Sequence, residues 1–237
     1  MGCSITVEAF KKMIIFCDFD ETITENDNII NIMKYYNPPG WETIKDDILA
    51  GRISIRKGVG HLFSLLPNSY REEITNYAIK QANIRPGFDQ FIQYCQEHNI
   101  RLLITSGGID FFVFPILSRY SIQKQNIYCN SSDFSRNQIQ ILWPYSCDSL
   151  CSNDCGMCKP SILRSHSSID NIKVVIGDSI TDWAVAKMAD LVIARDFLLQ
   201  KCQEHSLPYK EFVSFYDVIN ILKQLEEVKP ITENGKN

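Results

Sequence analysis

A chain of 237 residues, 45% of them apolar, can bury one large core and a smaller accessory domain. Its 24 basic residues against 28 acidic ones leave a net charge of −4 with no basic block to follow a phosphodiester backbone, which argues against a nucleic-acid partner. No apolar run approaches the roughly 20 residues of a membrane helix, and no basic segment leading into an apolar stretch opens the chain, so the expectation is a cytoplasmic protein with no membrane partner. Met1-Gly2 with Thr6 fits the loose myristoylation pattern without changing that expectation.

Residues 13–19 (MIIFCDF) form a short apolar run ending in an acidic cluster, as a buried parallel strand does when its carboxyl end carries chemistry. From about 28 to 82 the spacing is helical without convincing strands, which predicts an inserted helical cap domain over 26–83 between core segments 1–25 and 84–237. Within it, Pro38-Pro39-Gly40 breaks one helix and Ser69 with Glu72 fits a capping box opening another. Pro86-Gly87 marks the return to the core, followed by a helix over 88–98. Residues 101–105 (RLLIT) and 173–176 (KVVI) repeat the first design, each running into a turn, Ser106-Gly107-Gly108 and Gly177-Asp178-Ser179. Between them an excursion over 130–159 holds a predicted strand at 138–143, and a helix is expected over 181–189. The tail after Lys229 reads as frayed. Alternating strands and helices imply the fold class: α/β, a Rossmann-like doubly wound parallel sheet whose ligands bind outside the carboxyl ends of the strands.

Asp18 and Asp20 stand at i and i+2, so at a strand end they project to one side, with Thr22 close behind. That suits a nucleophile and an acid/base partner for phosphate transfer, although paired acids also bind cations or cap helices. Ser106 and Gly107 offer a hydroxyl and unshielded N–H groups to phosphate oxygens, or else form a plain turn. Asp178 and Asp182 add two carboxylates at the same edge, a setting for an oxygen-loving cation such as Mg²⁺. Lys159 can offset negative charge there.

The ordered set Asp18/Asp20/Thr22, Ser106, Lys159, Asp178/Asp182 resembles the four motifs of the haloacid dehalogenase superfamily of phosphohydrolases. The resemblance implies Asp18 as nucleophile forming an aspartyl-phosphate, Asp20 as general acid/base, and Thr22, Ser106, Gly107 and Lys159 holding phosphate. It also implies Mg²⁺ on the Asp18 carboxylate, the Asp20 carbonyl and Asp178, with Asp182 in support. Glu21 departs from the pattern, since many relatives carry Gly there. A helical insertion after the first motif resembles the phosphoserine-phosphatase-like branch, which acts on small phosphorylated metabolites. A more specific resemblance, to the methionine-salvage phosphatases acting on 2-hydroxy-3-keto-5-methylthiopentenyl-1-phosphate, runs through 26–34 (NDNIINIMK), 106–115 (SGGIDFFVFP), 127–130 (IYCN), 151–160 (CSNDCGMCKP), 177–182 (GDSITD) and 194–197 (ARDF).

Nine cysteines, without a secretory signal, point to thiols or a metal site rather than to a disulfide scaffold. Cys147, Cys151, Cys155 and Cys158 crowd just before Lys159 and either enclose a structural Zn²⁺ or pack as reduced thiols. Arg52, Arg56, Lys57 and Arg85 are candidates to meet a substrate's charge, Lys57 first because SIRKGV resembles the family's segment. Phosphoserine, phosphoethanolamine or phosphocholine are alternative substrates, and a catalytically idle zinc or redox module is the reading from another class. Monomer and homodimer both remain open.

Overall fold

The computed structural model describes residues 12–166 and 171–227. The Met1-Gly2 pattern and the tail after Lys229 lie outside them. The described residues open with strand β1 (Lys12–Cys17) and then form helices α1 (Asn28–Tyr36), α2 (Trp41–Leu49), α3 (Ile55–Ser64) and α4 (Arg71–Gln81) before α5 (Phe88–Glu97). It continues through β2 (Arg101–Ile109), α6 (Asp110–Leu117), β3 (Ile127–Asp133) and β4 (Gln140–Leu142) to α7 (Lys159–His166). The last part alternates: β5 (Asn171–Gly177), α8 (Ile180–Ala186), β6 (Leu191–Ala194), α9 (Asp196–Glu204), β7 (Tyr209–Glu211) and α10 (Phe215–Glu227).

The strands form one sheet in the order β4-β3-β2-β1-β5-β6-β7, parallel throughout except for the β3–β4 pair. The strand order reverses at β1, which has β2 on one side and β5 on the other, and the crevice beyond such a reversal is where doubly wound sheets bind ligands. Both faces of the sheet are covered. In β1, Ile15 and Cys17 join the larger apolar cluster on one face while Ile14 and Phe16 join a second cluster on the other. β5 divides the same way, with Val174 and Ile176 on one face and Val175 on the other. Burial on two faces explains why these strands read as continuous apolar runs, and each buried Ile or Phe contributes about 1.5–3 kcal/mol.

The breaks between helices follow backbone chemistry. α1 is opened by Asp27, whose side chain accepts from the Ile30 N–H, and closed by Asn37 at φ 44°; Gly40 at φ 87° then turns the chain into α2. Two expectations are corrected. Ser69 and Glu72 do not form a capping box: the chain makes a 3₁₀ turn at Asn68–Tyr70, and α4 begins without a side-chain cap. The reason is tertiary, because Asn68 bonds to the carbonyls of Asn137 and Phe134, which draws this turn against the β3–β4 segment. Nor do Ser106-Gly107-Gly108 form a turn opening a helix. They lie inside β2 as a bulge, where four steps from Thr105 to Ile109 oppose two from Tyr128 to Asn130 on β3.

Candidate active site

Asp18 is the first residue beyond β1, and its N–H donates to the Ile176 carbonyl of β5 at 2.9 Å. Asp178 follows β5 in the same way, so two carboxylates stand at the ends of adjacent parallel strands. Lys159, the first residue of α7, places its Nζ 2.6 Å from Oδ1 of Asp18 and 2.6 Å from Oδ1 of Asp182. The other Asp182 oxygen accepts from the N–H groups of Asp178 and Ser179 and from the Ser179 hydroxyl. Gly177 permits this approach, since a Cβ there would meet the Asp182 Cγ at 2.5 Å. Thr22 donates its hydroxyl proton to Asp178 Oδ1 at 2.6 Å. Ser106 lies on β2 one step past Thr105, whose hydroxyl faces the Cys17 carbonyl at 3.5 Å. Its Oγ accepts from the Gly108 N–H, while Asn130 donates to the Gly107 carbonyl and braces the bulge.

Asp20 is held differently. Its Oδ1 accepts from both the N–H (3.0 Å) and the Nδ2 (2.7 Å) of Asn28, the first residue of α1. Desolvation, then the charge of Asp27, pushes this carboxyl up to about 8. Asp18 is pushed up to about 7, by burial first and then by Asp182, against the pull of Lys159. Asp178 rises to about 9 through burial and the charges of Asp18 and Asp182. Burial alone would lower Lys159, but Asp18 and Asp182 carry it above its ordinary value.

A divalent cation fits this set. Oxygens of Asp18, Asp178 and Asp182 lie within 4.8 Å of one another, all three residues are buried, and ionised together they would carry more negative charge than Lys159 offsets. All the donors are oxygens, the ligand preference of Mg²⁺. Both Asp182 oxygens already accept hydrogen bonds, which leaves Asp18 and Asp178 as the better ligands.

Residues 15–187 match the haloacid dehalogenase-like hydrolase family. The chain belongs to this family. Among its curated relatives, the 2-hydroxy-3-keto-5-methylthiopentenyl-1-phosphate phosphatase of Geobacillus thermodenitrificans is 55% identical over 218 residues, 92% of this chain and 99% of that protein. The enzyme of the same name from Brevibacillus brevis is 52% identical over 92% of this chain and 98% of its own. Among solved structures, a phospho-aspartyl intermediate analogue of phosphoserine phosphatase superposes with a TM-score of 0.69 at 20% identity, covering 89% of this chain and 99% of that one. At that identity the likeness shows the fold alone: an α/β core of this hydrolase type.

In this haloacid dehalogenase-like hydrolase, two further residues hold the loop after β1, and sequence reasoning missed the role of both. Asn28 orients Asp20, and only its place in the NDN stretch hinted at it. Arg85, considered above for substrate charge, is buried instead. It donates to the carbonyls of Glu21 (2.6 Å), Thr22 (2.8 Å) and Val213 (3.1 Å). Glu21 itself sits at φ 58°, in the left-handed region that glycine occupies without strain. Of the other cations considered, Arg52 pairs with Asp47 and Arg56 with Asp154, while Lys57 is exposed on the first turn of α3. Cys147, Cys151, Cys155 and Cys158 converge in a separate group. A cleft of about 880 Å³ lined by Arg71, Asp110, Phe114, Lys124, Ser132 and Phe134 contains none of the carboxylates at the sheet edge, so it is not where they act. Among the described residues no helix is long and apolar enough to cross a membrane.

Proposed function

We propose that this chain hydrolyses 2-hydroxy-3-keto-5-methylthiopentenyl-1-phosphate to 1,2-dihydroxy-3-keto-5-methylthiopentene and phosphate, a step of methionine salvage, in the cytoplasm. The observation that carries the chemistry is Asp18 held against Lys159 at the sheet's reversal point, with Asp178 just past the end of the adjacent strand. The substrate rests on near full-length relatives of that name.

In this reading an Asp18 carboxylate oxygen attacks phosphorus in line, and the ester P–O bond breaks while Asp20 gives its proton to the leaving oxygen. Asp20 then takes a proton from water, which attacks the aspartyl-phosphate and returns Asp18 with release of phosphate. Lys159, the Ser106 hydroxyl and the N–H groups around Gly107 hold the phosphate oxygens; Thr22 contributes through Asp178. Mg²⁺ bound by Asp18, the Asp20 carbonyl and Asp178 would neutralise charge on the transferring group. Asp182 supports the site by holding Lys159. The helical segment 26–83 serves as the cap, with Lys57 its residue for the substrate, and the four cysteines take no part in the chemistry.

The test is phosphate release by the purified chain with Mg²⁺ from the enzymatically generated methylthiopentenyl phosphate, phosphoserine, phosphoethanolamine and phosphocholine. Preference for the first supports the reading, and preference for another keeps the mechanism but overturns the substrate. Asp18→Asn is expected to abolish turnover in a folded protein, and chelation to stop it reversibly. Substantial turnover by Asp18→Asn in Mg²⁺ refutes the aspartyl-phosphate.

A further inference from the structure

Residues 143–158 join β4 to α7 without a helix or strand. Structureless connections longer than about 12–15 residues are uncommon in compact domains unless something else orders them. Backbone bonds within this one are few: Cys151 N–H to Asp148 and Cys158 N–H to Tyr145. Yet the loop folds back on itself, with Asp154 at φ 52° and Gly156 at φ 80°, and brings four sulfurs to one point. All four Sγ atoms lie within 4.8 Å of one another, and those of Cys151 and Cys155 are 3.8 Å apart.

Four thiolates at about 2.3 Å from a zinc ion form a tetrahedron whose edges are about 3.8 Å. We infer that Cys147, Cys151, Cys155 and Cys158 form a structural Zn²⁺ site, separate from the carboxylate site, that orders this loop. Soft thiolates select zinc over magnesium. A backbone N–H points at one of the sulfurs, as it does where thiolate charge must be stabilised: Cys155 N–H donates to the Cys147 sulfur at 3.4 Å.

The site sits between two working parts. Cys158 directly precedes Lys159, so fixing its sulfur fixes the start of α7 and the ammonium between Asp18 and Asp182. Asp154, next to Cys155, takes the Ser54 hydroxyl on one carboxylate oxygen at 2.6 Å and accepts the Arg56 N–H on its carbonyl at 3.3 Å, tying the start of α3 to the same loop. The consequence for Lys159 rests on the proposed function; the occupancy of the site does not.

The full chain, expressed with added zinc and purified without chelators, is expected to carry about one zinc per chain by elemental analysis. In wild type, thiol-directed mercurial should release that zinc, measured with a colorimetric indicator, and lower the melting temperature; re-addition after the mercurial is removed with excess thiol should restore both. Apo protein loaded with Co²⁺ should show thiolate-to-cobalt charge transfer and the visible bands of tetrahedral cobalt. Cys151→Ser should lose most of the zinc. If that variant does not fold, the wild-type metal content and cobalt spectrum still decide. Folded protein with less than about 0.1 zinc per chain that takes up neither Zn²⁺ nor Co²⁺ overturns the inference. So does recovery of these cysteines as disulfides from protein kept under reducing conditions.

Discussion

Replacing Arg85 by methionine keeps much of its apolar stem and removes the guanidinium that holds three carbonyls. The magnitude follows from which carbonyl can find water instead. Thr22 is fully buried, whereas Glu21 is exposed and Val213 is 70% exposed, so two of the three carbonyls regain solvent and one is stranded. The stranded buried acceptor costs about 1–3 kcal/mol and each of the two lost bonds to solvated carbonyls about 0.5, so a loss of about 2–4 kcal/mol is expected for Arg85→Met. At roughly 2–4 °C per kcal/mol for a chain of this size, the melting temperature falls by about 4–16 °C. Urea unfolding measures the loss, with the midpoint read at constant slope. Turnover should fall as well, because the loop bearing Asp18 and Asp20 loosens. A variant whose midpoint is unchanged and whose KM rises tenfold refutes the clamp and returns Arg85 to the substrate.

Three other substitutions test neighbouring parts of the same loop and edge. Asn28→Ala removes the side-chain bond to Asp20 but leaves the backbone one; kcat should fall about 10–100-fold with KM little changed, and a KM effect alone would contradict the assignment. Gly177→Ala drives a methyl group against Asp182, so a stability loss of about 1–3 kcal/mol and a sharp fall in kcat are expected; a variant like wild type in both would show that the edge can yield. Glu21→Gly relieves about 1 kcal/mol of left-handed strain and costs a similar amount in unfolded-chain entropy, so its midpoint should stay within about 0.5 kcal/mol of wild type. Glu21→Val should lose more than about 1 kcal/mol, and equal stability of the two variants would argue against strain there.

Several features were legible because they depend on local chemistry. Strands β1 and β5 announce themselves as apolar runs since both faces of a parallel sheet are covered, and the acids that end them lie where such sheets bind ligands. The helical character of 28–82 was equally plain, as were the breaks at Pro38-Pro39-Gly40 and at Pro86-Gly87, where the positive φ falls on glycine. Short strands such as β6 and β7 carry too few residues to show a period.

Other features needed the tertiary structure because they depend on partners far away in sequence. Asn68 makes its bonds with Phe134 and Asn137, so the capping box that Ser69 and Glu72 spell locally does not form. The bulge at Ser106 to Gly108 exists because β2 goes on pairing with β3 beyond it. Arg85 looks like any cation in the sequence; only folding brings the carbonyls of Glu21 and Val213 to it from opposite ends of the chain. The residue types of the site were thus set by the sequence, since a nucleophilic acid, a lysine and oxygen ligands must be what they are. Their mutual distances, the partners that orient Asp20 and Asp182, and the convergence of four sulfurs beside Lys159 were decided by packing, which alone brings separated segments to one edge of the sheet.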